Sequence, residues 1–303
     1  MTAFFRDLSL YPSLRCALAA GVLAALVSGV VGSLVVVRRS TYLAGAIAHG
    51  VLAGLGLSRY LERVHGVAWL PPMAGAALAA VLAAFAIAFA GRNGRERNDT
   101  VLSAIWCVGT AAGVSLMAMT PGYQDDLMGY LFGSLSLSGP SEVAWMAGLA
   151  GVVLLTTVLC FDRFLAIAFS AEMARLRGVP VFLYECVFLV VTALAVVMLA
   201  QVAGIVLAIA LLSLPAAAAG LVTSRLGHMM GLAAAIGVAC TAGGLAMGYA
   251  ADLPTGATTV ELIAGVYLLM ALGKRLVARK GLRRRRPGGD GQSPRSSASA
   301  AAS

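Results

Sequence analysis

Two ionisable side chains of metal-binding type stand inside long uncharged stretches of this chain, and His49 is the first. It is the tenth of the nineteen uncharged residues between Arg39 and Arg59. A helix that rises about 1.5 Å per residue needs roughly 20 residues to cross the hydrocarbon of a bilayer, so His49 falls near the middle. An ionisable group at that depth is costly unless it faces a polar cavity or a partner. His49 is therefore a candidate ligand for a conducted ion, the alternative being a neutral imidazole bonded to a carbonyl of a neighbouring helix.

Glu261 is the second residue of this kind. It follows Asp252 by nine residues, which is about 13 Å along a helix, and interrupts the uncharged stretch Leu253–Gly273. An imidazole and a carboxylate at similar depth on separate helices could bind one divalent cation. Imidazole suits zinc, copper, iron and nickel, and a carboxylate extends the range to manganese. The alternative for Glu261 is a protonated carboxyl bonded to helix backbone.

Three further acids lie between uncharged stretches, namely Asp125, Asp126 and Asp252. Acids at an entrance would raise the local concentration of cations. Acids in such positions also commonly cap or solvate a turn, so both interpretations stay open.

The composition excludes an ordinary soluble domain, because 60% of the residues are hydrophobic, 12% are charged and the mean hydropathy is +0.91. The five cysteines stand singly and predict neither a disulfide framework nor a zinc–thiolate site. The sequence contains no H-E-x-x-H, G-x-S-x-G or Walker A motif. We therefore expect no enzymatic activity and no permanently bound cofactor, and energy from ATP would have to come from a separate chain.

The uncharged stretches predict an all-α polytopic membrane protein with eight or nine spans. The predicted spans are Cys16–Val37, Ser40–Ser58, Trp69–Ala90, Thr100–Thr120, Val143–Cys160, two within Cys186–Ser224, Gly231–Ala251 and Leu253–Gly273. Leu127–Ser141 is too short to cross and is predicted to be re-entrant. The 39 residues of Cys186–Ser224 would span about 58 Å as one helix, so we expect a break near Gln201 and Gly204.

The division of the chain and its orientation follow from the same pattern. Residues 1–280 are predicted to form one membrane domain, and residues 281–303 a disordered, basic and Ser/Ala-rich cytoplasmic tail. With nine alternating spans, eighteen of the 22 Lys and Arg residues fall on one side, which the positive-inside rule makes cytoplasmic. Residues 161–180 and the tail then lie inside, and Asp252 lies outside. The tail arginines would meet anionic lipid, and nucleic-acid binding is disfavoured.

Two local patterns predict contacts between helices and with a partner. Gly50 and Gly54 form a face of small residues on which another helix backbone can approach closely. Phe161–Pro180 interleaves charged and apolar residues, as short amphipathic helices at the membrane surface do. This segment either docks a cytoplasmic partner or is an ordinary interfacial loop.

Four stretches, in the expected order, resemble the permease subunits of bacterial zinc/manganese/iron ABC importers. The first is Arg38-Arg39 followed by Ala44–His49, similar to the family's G-D-A-x-x-H. The second is Asp126-Leu127 with Tyr130–Gly133, similar to D-L-x-x-Y-L-F-G. The third runs from Phe161-Asp162 through Gly204, Leu211, Leu212 and Pro215 to Ala219. The fourth is Asp252–Ala257.

The resemblance implies a multi-pass protein of the cell inner membrane that works as a permease dimer. It implies two cytoplasmic ATPase subunits and an extracytoplasmic metal-binding protein as partners. It also implies that the ATPase is coupled through the segment 161–180, with contacts from Phe161, Asp162, Leu165, Phe169, Met173 and Gly178. The second permease subunit is either an identical chain or a different one.

One position departs from the family pattern. The family's pore acid and histidine, four residues apart, correspond to Gly45 and His49, so the carboxylate is missing here. Glu261 would be its replacement from another helix, and Gly45→Asp would be expected to restore the pair. Keeping imidazole while losing the carboxylate shifts the ligands towards nitrogen, which favours zinc over manganese. The rivals are an importer of metal chelates, a non-transporting membrane scaffold and, last, an intramembrane metalloenzyme.

Overall fold

The computed structural model describes residues 6–7, 10–67, 69–92, 98–121 and 139–284. Every regular element within these ranges is an α-helix, which confirms the predicted all-α fold. In chain order the helices are α1 (Pro12–Val37), α2 (Thr41–His65), α3 (Pro72–Arg92), α4 (Asn98–Ala118), α5 (Pro140–Leu159), α6 (Phe161–Phe169), α7 (Ala171–Leu176), α8 (Val181–Val222), α9 (Leu226–Ala251) and α10 (Thr255–Arg284).

Nine segments of the described chain are long and apolar enough to cross a bilayer, as the uncharged stretches predicted. Two of them, Val181–Gln201 and Gly204–Val222, belong to α8. Gly204 separates them with φ 74° and ψ 167°, a backbone conformation that only glycine adopts without strain. The break predicted near Gln201 and Gly204 is therefore confirmed.

Several predicted ends were wrong, because charged residues mark the edge of the hydrocarbon and not the end of a helix. The predicted span ends at Ser58, and residues 59–68 were expected to form a polar loop, but α2 continues to His65, and Arg59 and Glu62 face each other there at 3.4 Å. Gly66, with φ 66°, then ends the helix in the left-handed conformation. At the other end of the chain α10 continues past Gly273 to Arg284.

The same reason explains the early start of α8. The charged residue Glu185 precedes the predicted stretch Cys186–Ser224, whereas the helix already begins four residues before it, at Val181. The predicted re-entrant segment Leu127–Ser141 lies outside the described residues except for its last three, of which Pro140 and Ser141 open α5.

Helices α1 and α8 form the centre of the bundle. α1 packs against α5, α8 and α9, and α8 packs against α1, α2, α3, α5, α9 and α10. On one flank α2 packs against α3 and α4. This flank carries His49.

Contacts at the two ends of the bundle agree with the predicted alternation of spans. At one end, Arg38 after α1 contacts Glu185 in the first turns of α8, beside the short helices α6 and α7. At the other end the hydroxyl of Tyr249, near the end of α9, donates a hydrogen bond to Asp7 at 3.0 Å. The α1–α2 turn and residues 161–180 therefore share one end, and Asp7, before α1, lies at the other.

Candidate metal site

The close contact of α2 with α4 brings side chains of α4 onto His49. A Cβ atom added to Gly109 would lie 2.8 Å from Cα of Gly50 and 3.0 Å from the carbonyl oxygen of His49. Real Cβ atoms do not approach so closely, so α4 can come this near to the backbone of α2 only because residue 109 is glycine, whereas a Cβ atom at Gly50 would have room, 3.4 Å from Cγ2 of Ile105. Gly54 makes a similar contact with the backbone of Gly75 on α3. The predicted role of the Gly50 and Gly54 face is therefore confirmed.

Two residues of α4, Trp106 and Thr110, hold the imidazole of His49. Its ring stacks on the indole of Trp106, with centroids 4.3 Å apart and planes inclined by 21°. Its Nδ1 lies 3.0 Å from Oγ1 of Thr110. The hydroxyl of Thr110 also lies 2.7 Å from the backbone carbonyl oxygen of Trp106, to which it donates.

These hydrogen bonds favour one tautomer of His49. A threonine hydroxyl has one proton, and Thr110 uses it on the carbonyl, which can only accept. With Thr110 donating in this way, the contact with His49 runs from an Nδ1–H of His49 to the oxygen of Thr110. In the neutral imidazole this leaves Nε2 unprotonated, with its lone pair available to a ligand.

The arrangement has the form of a metal-binding histidine. Ligating histidines commonly donate their second ring N–H to an oxygen, which sets both the ring plane and the tautomer. A neighbouring helix does supply the partner, as in the structural alternative for His49, but the partner is a hydroxyl and leaves Nε2 free for binding.

The space beside Gly45, where the resembled family carries a carboxylate, is occupied by the side chain of Trp106. A Cβ atom added there would lie 2.7 Å from Cζ3 and 3.3 Å from Cη2 of Trp106. An aspartate at this position would therefore require the indole to move before Gly45→Asp could restore a ligand pair. The place of the missing carboxylate is filled by an aromatic ring.

Glu261 lies in different surroundings. It is exposed on α10 and lines a cavity of about 160 Å³ whose other walls are apolar: Val206, Leu207, Gly256, Ala257 and Val260. All of these belong to α8 and α10. The structure does not bring Glu261 and His49 to one interface, because α2 and α10 are not among the closely packed helix pairs.

Of the three predicted entrance acids, Asp252 is the one within the described residues. Asp252 is exposed at the C-cap of α9 in the left-handed conformation, with φ 53° and ψ 41°, where it ends the helix. Asp125 and Asp126 lie outside the described residues. Within the described ranges no three His, Cys, Asp or Glu side chains gather into a metal-binding cluster.

The segment 161–180 forms the two short helices α6 and α7, as its pattern predicted. Phe164 and Ile167 are buried and anchor it to the bundle. Three large apolar side chains face outward, with exposed fractions of 79% for Phe169, 54% for Met173 and 83% for Leu176. Phe161 and Leu165 are partly buried, Asp162 is exposed in the first turn of α6, and Gly178 is exposed with φ 77°.

A buried junction joins this segment to the turn that leads into α2. Phe164 meets the ring of Phe188 edge-on, with centroids 5.7 Å apart. The guanidinium of Arg38 lies 4.4 Å from the centre of that ring on α8 and donates to Glu185 at 3.2 Å. Burial lowers the pKa of Arg38, and the carboxylate of Glu185 opposes that shift. The junction is thus continuous from α6 to the start of the His49 helix.

Sequence reasoning missed Trp106, Thr110 and Phe164. The spacing of Tyr42, Gly45 and His49 on α2 and of Ser103, Trp106 and Thr110 on α4 is the same, i, i+3 and i+7, so each trio forms one helical face. That shared spacing was the available signal, but nothing in it says that these two faces meet.

The fold and the site define a class: a multi-pass helical membrane protein that carries a candidate histidine ligand within a span. The profile described as "ABC 3 transport family" matches residues 10–274 of the chain. An uncharacterized membrane protein of Synechocystis is 34% identical over 88% of this chain and 92% of its own length. The "manganese transport system membrane protein" of Listeria monocytogenes is 32% identical over 88% of this chain and 92% of its own.

A solved structure agrees with these sequences. PsaBC from Streptococcus pneumoniae in complex with Fab superposes with a TM-score of 0.79 at 27% identity, over 89% of this chain and 95% of that one. The chain therefore belongs to the ABC 3 transport family. It is the membrane-spanning permease of an ABC metal importer, as the four motifs predicted.

Proposed function

We propose that this permease passes a divalent transition-metal ion across the membrane, that the ion binds Nε2 of His49 on its way, and that zinc is preferred over manganese. One observation carries the proposal. Thr110 uses its only proton on the carbonyl of Trp106, so His49 presents a bare Nε2. A structural histidine has no need of a free ring nitrogen, whereas a ligand must have one.

A site with one protein ligand suits transport. A conducting site has to bind the ion well enough to admit it and weakly enough to release it. One imidazole completed by water meets that demand better than a closed structural site with four protein ligands. The preference for zinc is supported by the nitrogen ligand and by the absence of an oxygen ligand at Gly45. Because some relatives are named for manganese transport, the preference for zinc has to be measured against manganese.

The partners follow from the family and from the exposed surface on α6 and α7. We propose a second permease subunit, a cytoplasmic ABC ATPase and an external metal-binding protein. Phe169, Met173 and Leu176 form an apolar surface at the end of the bundle that the positive-inside rule places in the cytoplasm. Apolar side chains so exposed beside a polar rim are typical of a protein contact. Glu261 and the acids Asp125, Asp126 and Asp252 remain proposed accessory positions for the cation.

The test is transport by the reconstituted complex. The permease is purified with the ATPase that accompanies it, placed in liposomes, and given radiolabelled zinc with or without unlabelled manganese. The expected result is zinc uptake that requires ATP and that manganese inhibits only at a higher concentration than unlabelled zinc does. An ATPase that co-purifies without uptake of either ion would support the scaffold alternative. Stronger inhibition by manganese than by zinc would overturn the proposed preference.

A further inference from the structure

Three rings stack in a notch on α2. Tyr42 and His49 are seven residues apart on one face of the helix, which is about 10.5 Å along its axis. The indole of Trp106 lies between them, 5.7 Å from the Tyr42 ring and 4.3 Å from the imidazole, and inclined by little more than 20° to each. These spacings together match the rise between Tyr42 and His49. Gly45, between the two on the same face, leaves the space that the indole enters.

The stack is fixed at both ends by α4. The hydroxyl of Tyr42 lies 2.8 Å from Oγ of Ser103, and Nδ1 of His49 lies 3.0 Å from Oγ1 of Thr110. Ser103, Trp106 and Thr110 all lie on one face of α4. The indole is therefore a rigid plane held between two hydrogen-bonded rings, and it cannot move aside as the end of a flexible side chain could.

This geometry decides which ligands can stand beside His49. Residue 45 is one of the positions on α2, one helical turn from His49, from which a second side chain could reach a cation on the imidazole. Any side chain there would meet Cζ3 of Trp106, which lies 2.7 Å from the place of its Cβ. Trp106 thus blocks an oxygen ligand from reaching the imidazole from position 45.

We propose that Trp106 is a specificity-determining residue: by occupying the Gly45 notch it leaves a single nitrogen ligand and so favours zinc over manganese. Manganese gains more than zinc from an added carboxylate, because harder ions prefer oxygen. This inference rests on the proposed binding of the ion at His49. It goes further in assigning the preference to a residue that binds no metal itself.

The test exchanges the indole for a carboxylate. Zinc and manganese affinities are measured by equilibrium dialysis on the purified permease for the parent and for Trp106→Ala/Gly45→Asp. The control is Trp106→Ala/Gly45→Asn, which has the same volume but no charge. The Asp variant should reduce the ratio of zinc to manganese affinity by about tenfold or more, and the Asn variant should change it less. An unchanged ratio in the folded Asp variant, or an equal change in both variants, would overturn the inference.

Two further measurements keep the outcomes separable. His49→Ala in the same assay should lose zinc binding. If it binds zinc as the parent does, the proposed function is wrong, whereas an unchanged ratio alongside lost binding in His49→Ala refutes only the role of Trp106.

If the Asp variant does not fold, the emission of Trp106 is followed instead. The chain has three tryptophans, and Trp69 and Trp145 are 79% and 76% exposed, so Trp106→Phe identifies the signal. Zinc should perturb it in the parent, and emission that is indifferent to zinc would contradict the proposal.

Discussion

His49 and Glu261 are both ionisable side chains within membrane-spanning helices, yet their surroundings differ. His49 is partly buried, stacked on one ring and hydrogen-bonded through one nitrogen, with the other nitrogen left available. Glu261 is exposed beside a cavity whose other described walls are apolar. The comparison teaches that depth in a span marks a residue as unusual, whereas the neighbours decide what it can do.

The largest expected effect separates these two residues directly. His49→Ala should reduce zinc uptake at least on the order of 100-fold, because the ligand itself counts for more than a group that orients it. Glu261→Ala should stay within about threefold of the parent, since its cavity is formed without α2. Both are measured as initial rates of radiolabelled zinc uptake at equal amounts of assembled complex. A larger loss in Glu261→Ala than in His49→Ala would reverse the comparison.

A change on α7 should stop transport while leaving the site intact. Met173→Asp places a charge in the apolar surface at which the ATPase is proposed to dock, and an unpaired charge in a desolvated contact is strongly unfavourable. We expect uptake to fall about tenfold or more, while zinc binding to the isolated permease stays at the parent value. Met173→Leu, a swap of similar volume, is the control and should transport normally. Normal ATP-driven uptake by Met173→Asp would show that the ATPase does not contact this surface.

Thr110 tests the tautomer argument with a smaller effect. Thr110→Val keeps the shape of the side chain and removes the oxygen that accepts from Nδ1 of His49, so the imidazole is no longer held in one tautomer. Zinc affinity should fall by about tenfold, at the lower end of the range for groups that orient metal ligands. Thr110→Ser keeps the hydroxyl and should bind zinc as the parent does. Equal affinity in the Val and Ser variants would mean that the hydrogen bond does not prepare the ligand.

The smallest effect concerns packing behind the site. Gly109→Ala would place a methyl group 2.8 Å from Cα of Gly50, so the contact of α2 with α4 should loosen at a cost of about 1–3 kcal/mol in the free energy of unfolding. Gly265→Ala on α10 meets nothing within 4 Å and should lie within about 0.5 kcal/mol of the parent. Reversible unfolding in mixed micelles measures both. Equal stability of the two variants would contradict the close packing behind His49.

The sequence alone predicted the features that depend on whether a segment lies in lipid or in water. Uncharged stretches locate the spans, a stretch of twice the bilayer thickness requires a break, and Gly204 is the residue able to make it. Helix ends were less predictable, because α2 and α10 continue through charged residues into water.

The candidate site was predictable only in part. His49 stands out in the sequence because a histidine within a span is rare. Trp106 and Thr110 do not, since aromatic and hydroxyl side chains are ordinary in spans, and their importance arises only because Gly109 lets α4 touch α2 beside His49. The expected pairing of His49 with Glu261 rested on depth alone, and depth does not specify which helices are neighbours.

The most direct test of the central claim is the protonation of the His49 ring. The chain has three histidines, so ¹⁵N-histidine labelling of the permease in lipid gives three imidazoles, and His49→Ala identifies the one of interest. The account predicts a neutral ring protonated at Nδ1, with an Nε2 resonance that shifts when zinc is added. A ring protonated at Nε2, or an Nε2 resonance that zinc leaves unchanged, would show that His49 is a structural histidine and does not bind the transported ion.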